Sequence, residues 1–232
     1  MFAQTALRSL LHLFLPHNCA GCNSDIINDK QPLCLQCLEQ LPVTNFHLHA
    51  DNPVEKIFWG RLPLLYAASY VYFSKGSALQ QLLHQLKYKG RKDIGTWFGQ
   101  QMGEAMKQSN RFSDVDALVP LPLFATRERK RGYNQAMLLC EGMASVLHTP
   151  ILNDVIIRKA ATTTQTKKDR TERWQNIEGK FALTGKPIAG NKHIVLVDDV
   201  VTTGATIEAC GRELLAAGNI RLSVFTMAYT LK

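Results

Sequence analysis

Long apolar runs are absent from this chain of 232 residues, and no window approaches eighteen uninterrupted apolar residues. A transmembrane segment is therefore not expected, because a helix that crosses a bilayer needs about twenty such residues. The first fifteen residues (MFAQTALRSLLHLFL) lack a following small-x-small cleavage site, since Pro16 and a cysteine pair come next. We interpret them as an amphipathic or packing segment of a cytoplasmic protein, with secretion as the minor alternative.

Extremes of composition and internal repeats are missing as well. The chain is 46% hydrophobic and 20% charged, which excludes a disordered or collagen-like protein. A chain of this length buries roughly 70% of its unfolded surface, so the sequence is long enough for a substantial hydrophobic core.

Acidic residues are in deficit: 19 Asp and Glu stand against 27 Lys and Arg, for a net charge of +8. Three runs, at 87–92, 127–131 and 158–173, hold 14 of the 27 basic residues. Any one of these runs is compatible with a solvated loop or helix face. Together they favour an anionic partner, which leaves phosphate, a phosphorylated metabolite or nucleic acid as the possible classes.

Cysteine is concentrated in one short segment near the N-terminus. Cys19, Cys22, Cys34 and Cys37 form two Cys-x2-Cys pairs with eleven residues between them. This spacing predicts a tetrahedral Zn²⁺ site, in which four thiolates leave no position for water, so the metal is expected to be structural. The alternative is a pair of disulfides, which needs an oxidising compartment that the N-terminus does not support.

Strand-like and helix-like segments alternate after about residue 60. The expected strands are 66–73, 117–121, 155–158, 181–183, 193–198 and 222–229. The expected helices are 77–86, 94–106, 134–147 and 205–217. Such alternation predicts an α/β fold, a mainly parallel sheet with helices on both faces. We expect a small zinc-ribbon-like module (a double zinc knuckle) over 1–50 and the α/β domain over 60–232.

The sharpest motif spans residues 195–206 and reads VLVDDVVTTGAT. Ligands of parallel sheets bind beyond the carboxyl ends of the strands, which is where Asp198 and Asp199 fall. Two adjacent carboxylates at this edge suit the hydroxyls of a ribose, directly or through a divalent cation.

The loop after these carboxylates has the composition of a phosphate cradle. Residues 202–206 open a helix, so their backbone N–H groups, the helix dipole and the threonine hydroxyls favour an anion. Gly204 lets the backbone approach that anion closely. The alternative is an ordinary strand–turn–helix with Thr202 or Thr203 as the N-cap, but capping alone explains poorly why the strand ends in two acids.

Residues 195–206 resemble the phosphoribosyl pyrophosphate (PRPP) signature of the type I phosphoribosyltransferases. The chain as a whole resembles the ComF family, whose members join an N-terminal four-cysteine zinc module to such a domain. The element Arg131–Gln135 (RGYNQ) is what narrows the resemblance to ComF-like proteins. Further matching residues are Asp116–Leu123, Gln165, Arg170–Arg173, Asn176 and Phe181. The resemblance implies a type I phosphoribosyltransferase-like fold for the α/β domain.

The resemblance also implies roles for particular residues. It assigns Asp198 and Asp199 to the ribose hydroxyls, as the catalytic pair, with Mg²⁺ accompanying PRPP. The 5′-phosphate is assigned to the residues of the loop, Thr202, Thr203, Gly204, Ala205 and Thr206. The pyrophosphate is assigned to the basic stretch 120–133, through Arg127, Arg131 and Gly132. A hood loop that closes over the substrate is assigned to Gln165, Arg170 and Arg173.

Two classes of function remain open at this stage. The first is an enzyme of nucleotide salvage that transfers a phosphoribosyl group to or from an unidentified base, since no base-recognising pattern is evident. The second is a protein that binds PRPP or ribose 5-phosphate as a sensor or adaptor in competence, DNA uptake or the use of imported DNA, which is what the resemblance to ComF implies. The expected partners are single-stranded DNA or proteins of DNA uptake and recombination, because basic runs suit nucleic acid.

Overall fold

The structure, a computed structural model, describes residues 18–28, 31–159, 180–188 and 190–230. The strands in these ranges are β1 (Ala67–Phe73), β2 (Ala117–Pro120), β3 (Ile156–Arg158), β4 (Phe181–Leu183), β5 (Lys192–Val201) and β6 (Ile220–Thr230). The helices are α1 (Leu35–Glu39), α2 (Pro53–Phe58), α3 (Ala78–Tyr88), α4 (Lys92–Lys107), α5 (Ala125–Arg131), α6 (Gln135–Leu147) and α7 (Ala205–Ala216). Two short 3-10 helices lie at Phe46–Leu48 and Asn110–Phe112.

Four strands form one parallel sheet in the order β1-β6-β5-β2. The central strand β5 is apolar along most of its length, and Val195, Leu196 and Val197 are inaccessible to solvent. Continuous apolar strands of this kind are typical of a parallel sheet that is covered on both faces. The prediction of an α/β fold built on a mainly parallel sheet is confirmed.

Strands β3 and β4 pair antiparallel in a separate two-stranded sheet, with Ile156 opposite Leu183. The bounds of β4 agree with the predicted strand at 181–183. The predicted hood residues Gln165, Arg170 and Arg173 lie between the two strands and outside the described residues.

Helix α3 shows how the helices are specified locally. It begins after Ser77, whose hydroxyl accepts a hydrogen bond from the Gln80 amide at 3.3 Å, as an N-cap residue does. Its buried positions follow the spacing of an amphipathic helix and are Leu79, Leu82, Leu83 and Leu86. The helix continues two residues past its predicted end, to Tyr88. No helix in the described ranges combines the length and the apolar character that a membrane span requires.

The cysteine-rich segment packs against the α/β body rather than standing apart from it. The Gln85 side chain of α3 donates to the Ala20 carbonyl at 2.7 Å, and Leu33 is fully buried in the common core. Farther along, the Tyr72 amide of β1 donates to the Pro42 carbonyl at 2.8 Å. The domain bounds at 1–50 and 60–232 stay a prediction.

A histidine at the start of β5 joins three segments of the chain. His193 Nδ1 lies 2.7 Å from Asp114 Oδ1, and His193 Nε2 lies 2.8 Å from Ser223 Oγ. This order of acid, histidine and serine resembles a hydrolase triad, but Ser223 is fully buried, and its hydroxyl already accepts the Tyr66 amide at 3.2 Å. The arrangement therefore anchors the sheet at the end opposite the predicted site.

Candidate functional site

The two acidic residues of the motif lie where β5 approaches its carboxyl end, as predicted. Asp198 and Asp199 are both partly buried, and the Asp199 amide donates to Asp198 Oδ1 at 2.8 Å. Burial, followed by the neighbouring Asp199 charge, raises the pKa of Asp198 to about 8. The protonated form of Asp198 is therefore stabilised in the ligand-free chain. A ligand that donates hydrogen bonds to this group or brings positive charge close to it stabilises the carboxylate instead.

The loop that follows leaves the amino end of α7 free of a side-chain cap. The N-cap residue is Gly204, in the left-handed conformation with φ of +74°, and it has no side chain with which to cap the first turn. The alternative that Thr202 or Thr203 is the N-cap residue is therefore wrong, although Thr203 Oγ1 accepts the Ala205 amide at 3.5 Å. Thr202 and Thr203 are exposed, so both hydroxyls can donate a hydrogen bond to a ligand that lies beside the first amides of the helix.

Gly204 is also required by packing. A Cβ atom at this position would lie 2.6 Å from Ile57 Cγ2 and 2.7 Å from Phe58 Cε1. Both residues belong to α2, which was not among the expected helices although it begins after the N-cap Asn52 with Pro53 at its first position. The backbone of the loop is thus pressed against α2, and only glycine fits there.

A partly buried ion pair supports the same loop and was not predicted from the sequence. Arg61 Nη1 donates to the Thr203 carbonyl at 2.9 Å and to the Ile57 carbonyl at 3.0 Å, while its Nη2 is 2.5 Å from Glu208 Oε2. These contacts connect α2, the loop and the first turn of α7. Since Arg61 lies 142 residues from Thr203 in the chain, no local pattern points to it.

The basic stretch predicted as a pyrophosphate-binding loop is largely helical. Residues 125–131 form α5, which ends at Gly132 in the left-handed conformation with φ of +78°. Together with the end of α3, this segment surrounds a cavity of about 430 Å³. The cavity is lined by Lys87, Tyr88, Gly90, Arg127, Lys130, Arg131 and Tyr133. Two of the three basic runs found in the sequence therefore meet here.

The residues of the Arg131–Gln135 element connect the segments that surround this cavity. Arg131 Nη1 donates to Gln135 Oε1 at 2.6 Å, and its guanidinium lies 5.4 Å from the centre of the Tyr88 ring. The Tyr133 hydroxyl donates to the Leu86 carbonyl of α3. Asn134 is the N-cap of α6, and its side-chain amide donates to the Leu121 carbonyl at 3.1 Å. The element thus connects α3, β2 and α6.

The cavity and the acidic pair are joined by one contact. Lys87 Nζ lies 2.6 Å from Asp199 Oδ2, and both side chains are mostly buried. The structure therefore brings together the predicted residues Asp198, Asp199, Arg127 and Arg131, and it adds Lys87 to them.

Arg158, at the end of β3, is a further residue that the predicted site did not include. Its guanidinium lies 3.9 Å from the centre of the Phe124 ring and 5.2 Å from that of Phe181. Burial, and then the Arg127 charge, lower the pKa of Arg158. Its buried Nε has no hydrogen-bond partner among the described residues.

The four cysteines of the N-terminal segment converge. The sulfurs of Cys19, Cys22, Cys34 and Cys37 all lie within 4.8 Å of one another, and the Cys22–Cys34 pair is 3.6 Å apart. Four thiolates at about 2.3 Å from a central Zn²⁺ ion lie about 3.8 Å from each other, so this geometry fits a tetrahedral site.

Hydrogen bonds within the segment already favour a thiolate at Cys19. Burial opposes ionisation, but backbone amides, first that of Cys34 with its nitrogen 3.2 Å from the sulfur, lower the pKa of the Cys19 thiol to about 6. A thiolate is the form in which cysteine binds a metal.

Comparisons with known proteins agree with this geometry. A model of the phosphoribosyl transferase domain matches residues 134–228. The chain is 32% identical over 217 residues to the DNA utilization protein YhgH of Escherichia coli K12, covering 92% of this chain and 90% of that protein. It is 27% identical over 226 residues to Competence protein F of Haemophilus influenzae, covering 95% and 94%. It is 31% identical over 157 residues to Competence protein ComFC of Bacillus subtilis, covering 67% and 61%.

The parallel sheet and the matched region define a protein with a type I phosphoribosyltransferase domain. The similarity to the competence and DNA utilization proteins extends over nearly the whole chain and includes the four-cysteine segment. The chain belongs to the ComF family.

Proposed function

We propose that this chain binds PRPP together with Mg²⁺ at the carboxyl end of β5. The observation that carries the proposal is the order of charges at this edge of the sheet, where two features that favour anions lie on either side of one acidic pair. The start of α7 with its N-cap Gly204 lies on one side of the acidic pair. The basic cavity lies on the other side and is joined to the pair by the contact between Lys87 and Asp199. A sugar with a phosphate at one end and a diphosphate at the other matches this arrangement of charges.

Each part of the ligand has a matching part of the protein. The first amides of α7 and the hydroxyls of residues 202–206 hold the 5′-phosphate. Asp198 and Asp199 accept hydrogen bonds from the ribose hydroxyls. Arg127, Arg131 and the backbone at Gly132 face the diphosphate, whose oxygens an arginine binds bidentately.

The donor set at the acidic pair also fits a magnesium ion. Two adjacent carboxylates supply the oxygen ligands that Mg²⁺ prefers, beside the phosphates of its substrate. When bound, the ion neutralises charge on the diphosphate. The other roles belong to side chains of the protein. The arginines orient the diphosphate, and the acidic pair orients the ribose. The carboxylates of this pair also stabilise the positive charge that develops at C1 if the diphosphate leaves.

Calorimetry with PRPP in magnesium buffer tests this proposal. The wild-type chain is expected to bind PRPP, and the double variant Asp198→Asn, Asp199→Asn is expected to lose that binding. The matched control is Asp154→Asn, which removes a carboxylate of an exposed ion pair with Lys186 and should leave binding unchanged. Equal binding by wild type and double variant, or no binding by wild type, refutes the assignment.

The proposal extends to one structural Zn²⁺ in the cysteine segment. It is supported by four sulfurs within 4.8 Å of one another and by their contact with the core of the α/β body. Because such a short segment has little core of its own, the metal is expected to contribute much of its stability.

We place the protein in the use or uptake of DNA, on the cytoplasmic side of the membrane. The names of the relatives, DNA utilization protein and Competence protein F, support this context. The net charge of +8 and the gathering of two basic runs around one cavity support an anionic partner. Single-stranded DNA is the partner that this charge fits best, and a protein of DNA uptake or recombination is the alternative.

Two measurements separate these alternatives and the enzymatic one. Binding of single-stranded DNA is measured over a salt series, where direct phosphate contacts produce a steep loss of affinity with salt. An affinity that hardly changes with salt points to a protein partner instead. Pyrophosphate release from PRPP is measured with a panel of bases; release with any base indicates a phosphoribosyltransferase, whereas PRPP binding without release indicates a sensor.

A further inference from the structure

Lys87 is largely buried, which is unusual for a lysine in the basic run 87–92 if that run only serves solubility. It lies in the last turn of α3, with its side chain about three-quarters buried, and its ammonium group is 2.6 Å from Asp199 Oδ2. The neighbouring Lys89 of the same run is exposed. A lysine that serves only solubility keeps its charge in water, as Lys89 does.

Lys87 belongs to two surfaces at once. It lines the cavity of about 430 Å³ together with Arg127, Lys130 and Arg131, while its charge is neutralised by a carboxylate of the acidic pair. The three other basic residues of the cavity lie on α5, and an anion in the cavity reduces the repulsion between their charges.

This arrangement creates a competition for the Lys87 ammonium. A diphosphate in the cavity carries more negative charge than the Asp199 carboxylate and offers more oxygens. Conversely, a ribose hydroxyl that donates to Asp199 has to share that carboxylate with a cation 2.6 Å away. The two halves of the ligand therefore act on the same ion pair from opposite sides.

We propose that Lys87 couples recognition of the diphosphate to recognition of the ribose. When a diphosphate enters the cavity, the Lys87 ammonium moves from Asp199 to the diphosphate oxygens, and Asp199 is released to accept hydrogen bonds from the ribose. A sugar phosphate without a diphosphate leaves the ion pair intact and finds Asp199 occupied. Lys87 thus makes the site selective for a sugar that carries a diphosphate, an inference that rests on the proposed PRPP function.

Calorimetry on the full-length chain tests this coupling with three ligands: PRPP, ribose 5-phosphate, and ribose 5-phosphate in the presence of inorganic diphosphate. For wild type, diphosphate is expected to tighten the binding of ribose 5-phosphate. Lys87→Met is expected to weaken PRPP binding about 10- to 100-fold, the value of one charge-assisted hydrogen bond. The same variant is expected to bind ribose 5-phosphate at least as well as wild type, with the effect of diphosphate lost.

Two further variants serve as controls for the effect of Lys87→Met. Lys89→Met removes a charge two residues away on the exposed surface and is expected to behave as wild type with all three ligands. Lys87→Arg keeps the positive charge and is expected to retain the tightening by diphosphate. Thermal denaturation of each variant shows that it is folded before its binding is compared.

The outcomes distinguish this inference from the proposed function on which it rests. If wild type binds PRPP but Lys87→Met weakens PRPP and ribose 5-phosphate by the same factor, the coupling is overturned and the PRPP site stands. The coupling is also overturned if diphosphate still tightens the binding of ribose 5-phosphate to Lys87→Met. If wild type binds neither PRPP nor ribose 5-phosphate, the proposed function fails first.

Discussion

At the scale of the residue, the Asp198 carboxyl group makes the stability of the chain depend on pH. Its burial and the nearby Asp199 charge raise its pKa from 3.8 to about 8. The folded chain therefore takes up a proton at this group between about pH 4 and pH 8, and the unfolded chain does not. As a result, this group makes the free energy of unfolding fall as pH rises through that window, by at most about 1.4 kcal/mol per pH unit.

Asp198→Asn is expected to remove this pH dependence. The ligand-free variant should unfold at a higher temperature than wild type at pH 8, and the difference should shrink toward pH 4.5, where both side chains are neutral in the folded state. Thermal denaturation across this range measures it, with Asp154→Asn as the control. A variant that is less stable than wild type at pH 8 contradicts the argument.

Gly204 combines two demands that can be separated by experiment. Its φ is +74° and a Cβ would collide with Ile57 and Phe58, whereas Gly76 has nearly the same φ of +77° but no atom within 4 Å of a Cβ. Gly76→Ala is expected to cost about 1–2 kcal/mol of stability from backbone strain alone.

Gly204→Ala is expected to cost more than Gly76→Ala, because crowding against α2 adds to the strain. It is also expected to lose PRPP binding as the loop shifts, whereas Gly76→Ala keeps it. Chemical denaturation and calorimetry measure the two effects. Equal losses of stability in the two variants contradict the role of crowding.

At the scale of elements, the backbones of α4 and α6 approach each other closely where the two helices cross. A Cβ on Gly99 would lie 2.2 Å from the Leu139 carbonyl oxygen, and one on Gly142 would lie 2.1 Å from the Thr96 carbonyl oxygen. Backbone meets backbone at this point, so no side-chain rotation relieves a clash.

Gly99→Ala and Gly142→Ala are each expected to destabilise the chain by about 3 kcal/mol. The gain in helix propensity, about 1 kcal/mol for glycine to alanine, is too small to offset the separation of the two helices. Gln100→Ala, at an exposed position of α4, is the control and should change stability by less than about 0.5 kcal/mol. Denaturant unfolding measures all three variants, and a neutral Gly99→Ala contradicts the close packing.

At the scale of the whole molecule, the cysteine segment and the α/β body share one core. Leu33 is fully buried, and Gln85 of α3 donates to the Ala20 carbonyl. Loss of order in the segment therefore exposes apolar surface of α3 as well.

Removal of the metal is consequently expected to lower the unfolding temperature of the entire chain, and one Zn²⁺ per chain is expected by elemental analysis. Cys34→Ser should reduce that content sharply. Cys140→Ala, which alters a buried cysteine of α6 remote from the cluster, should retain one Zn²⁺ per chain. The proposal is contradicted if the purified chain contains no metal. It is also contradicted if chelation leaves the unfolding temperature unchanged.

The sequence by itself was sufficient for the elements whose signal is local. The apolar run of β5, the short strand β4 and the helix after Gly204 lie where they were expected, because strand and helix periods and the flanking turn residues specify them. The two Cys-x2-Cys pairs likewise predicted the convergence of the four sulfurs.

Elements without an apolar stripe were not predicted. Helix α5 (ATRERKR) is almost entirely exposed and consists mainly of charged residues, so its sequence resembles a solvated loop. It becomes a helix between the Phe124 carbonyl, which accepts the Arg127 and Glu128 amides, and the left-handed Gly132. The short helix α2 was also missed, although Asn52 caps it and Val54 and Phe58 are buried, because six residues are too few to show a helical period.

Only the tertiary structure decided which distant residues meet at the site. The pairing of Lys87 with Asp199, of Arg61 with the Thr203 carbonyl and of Arg158 with the Phe124 ring joins positions separated by tens to more than a hundred residues. Chain order carries no information about such distances. The parallel sheet sets where β5 ends and its loop begins, and the packing of α2, α3 and β3 at that edge sets the rest.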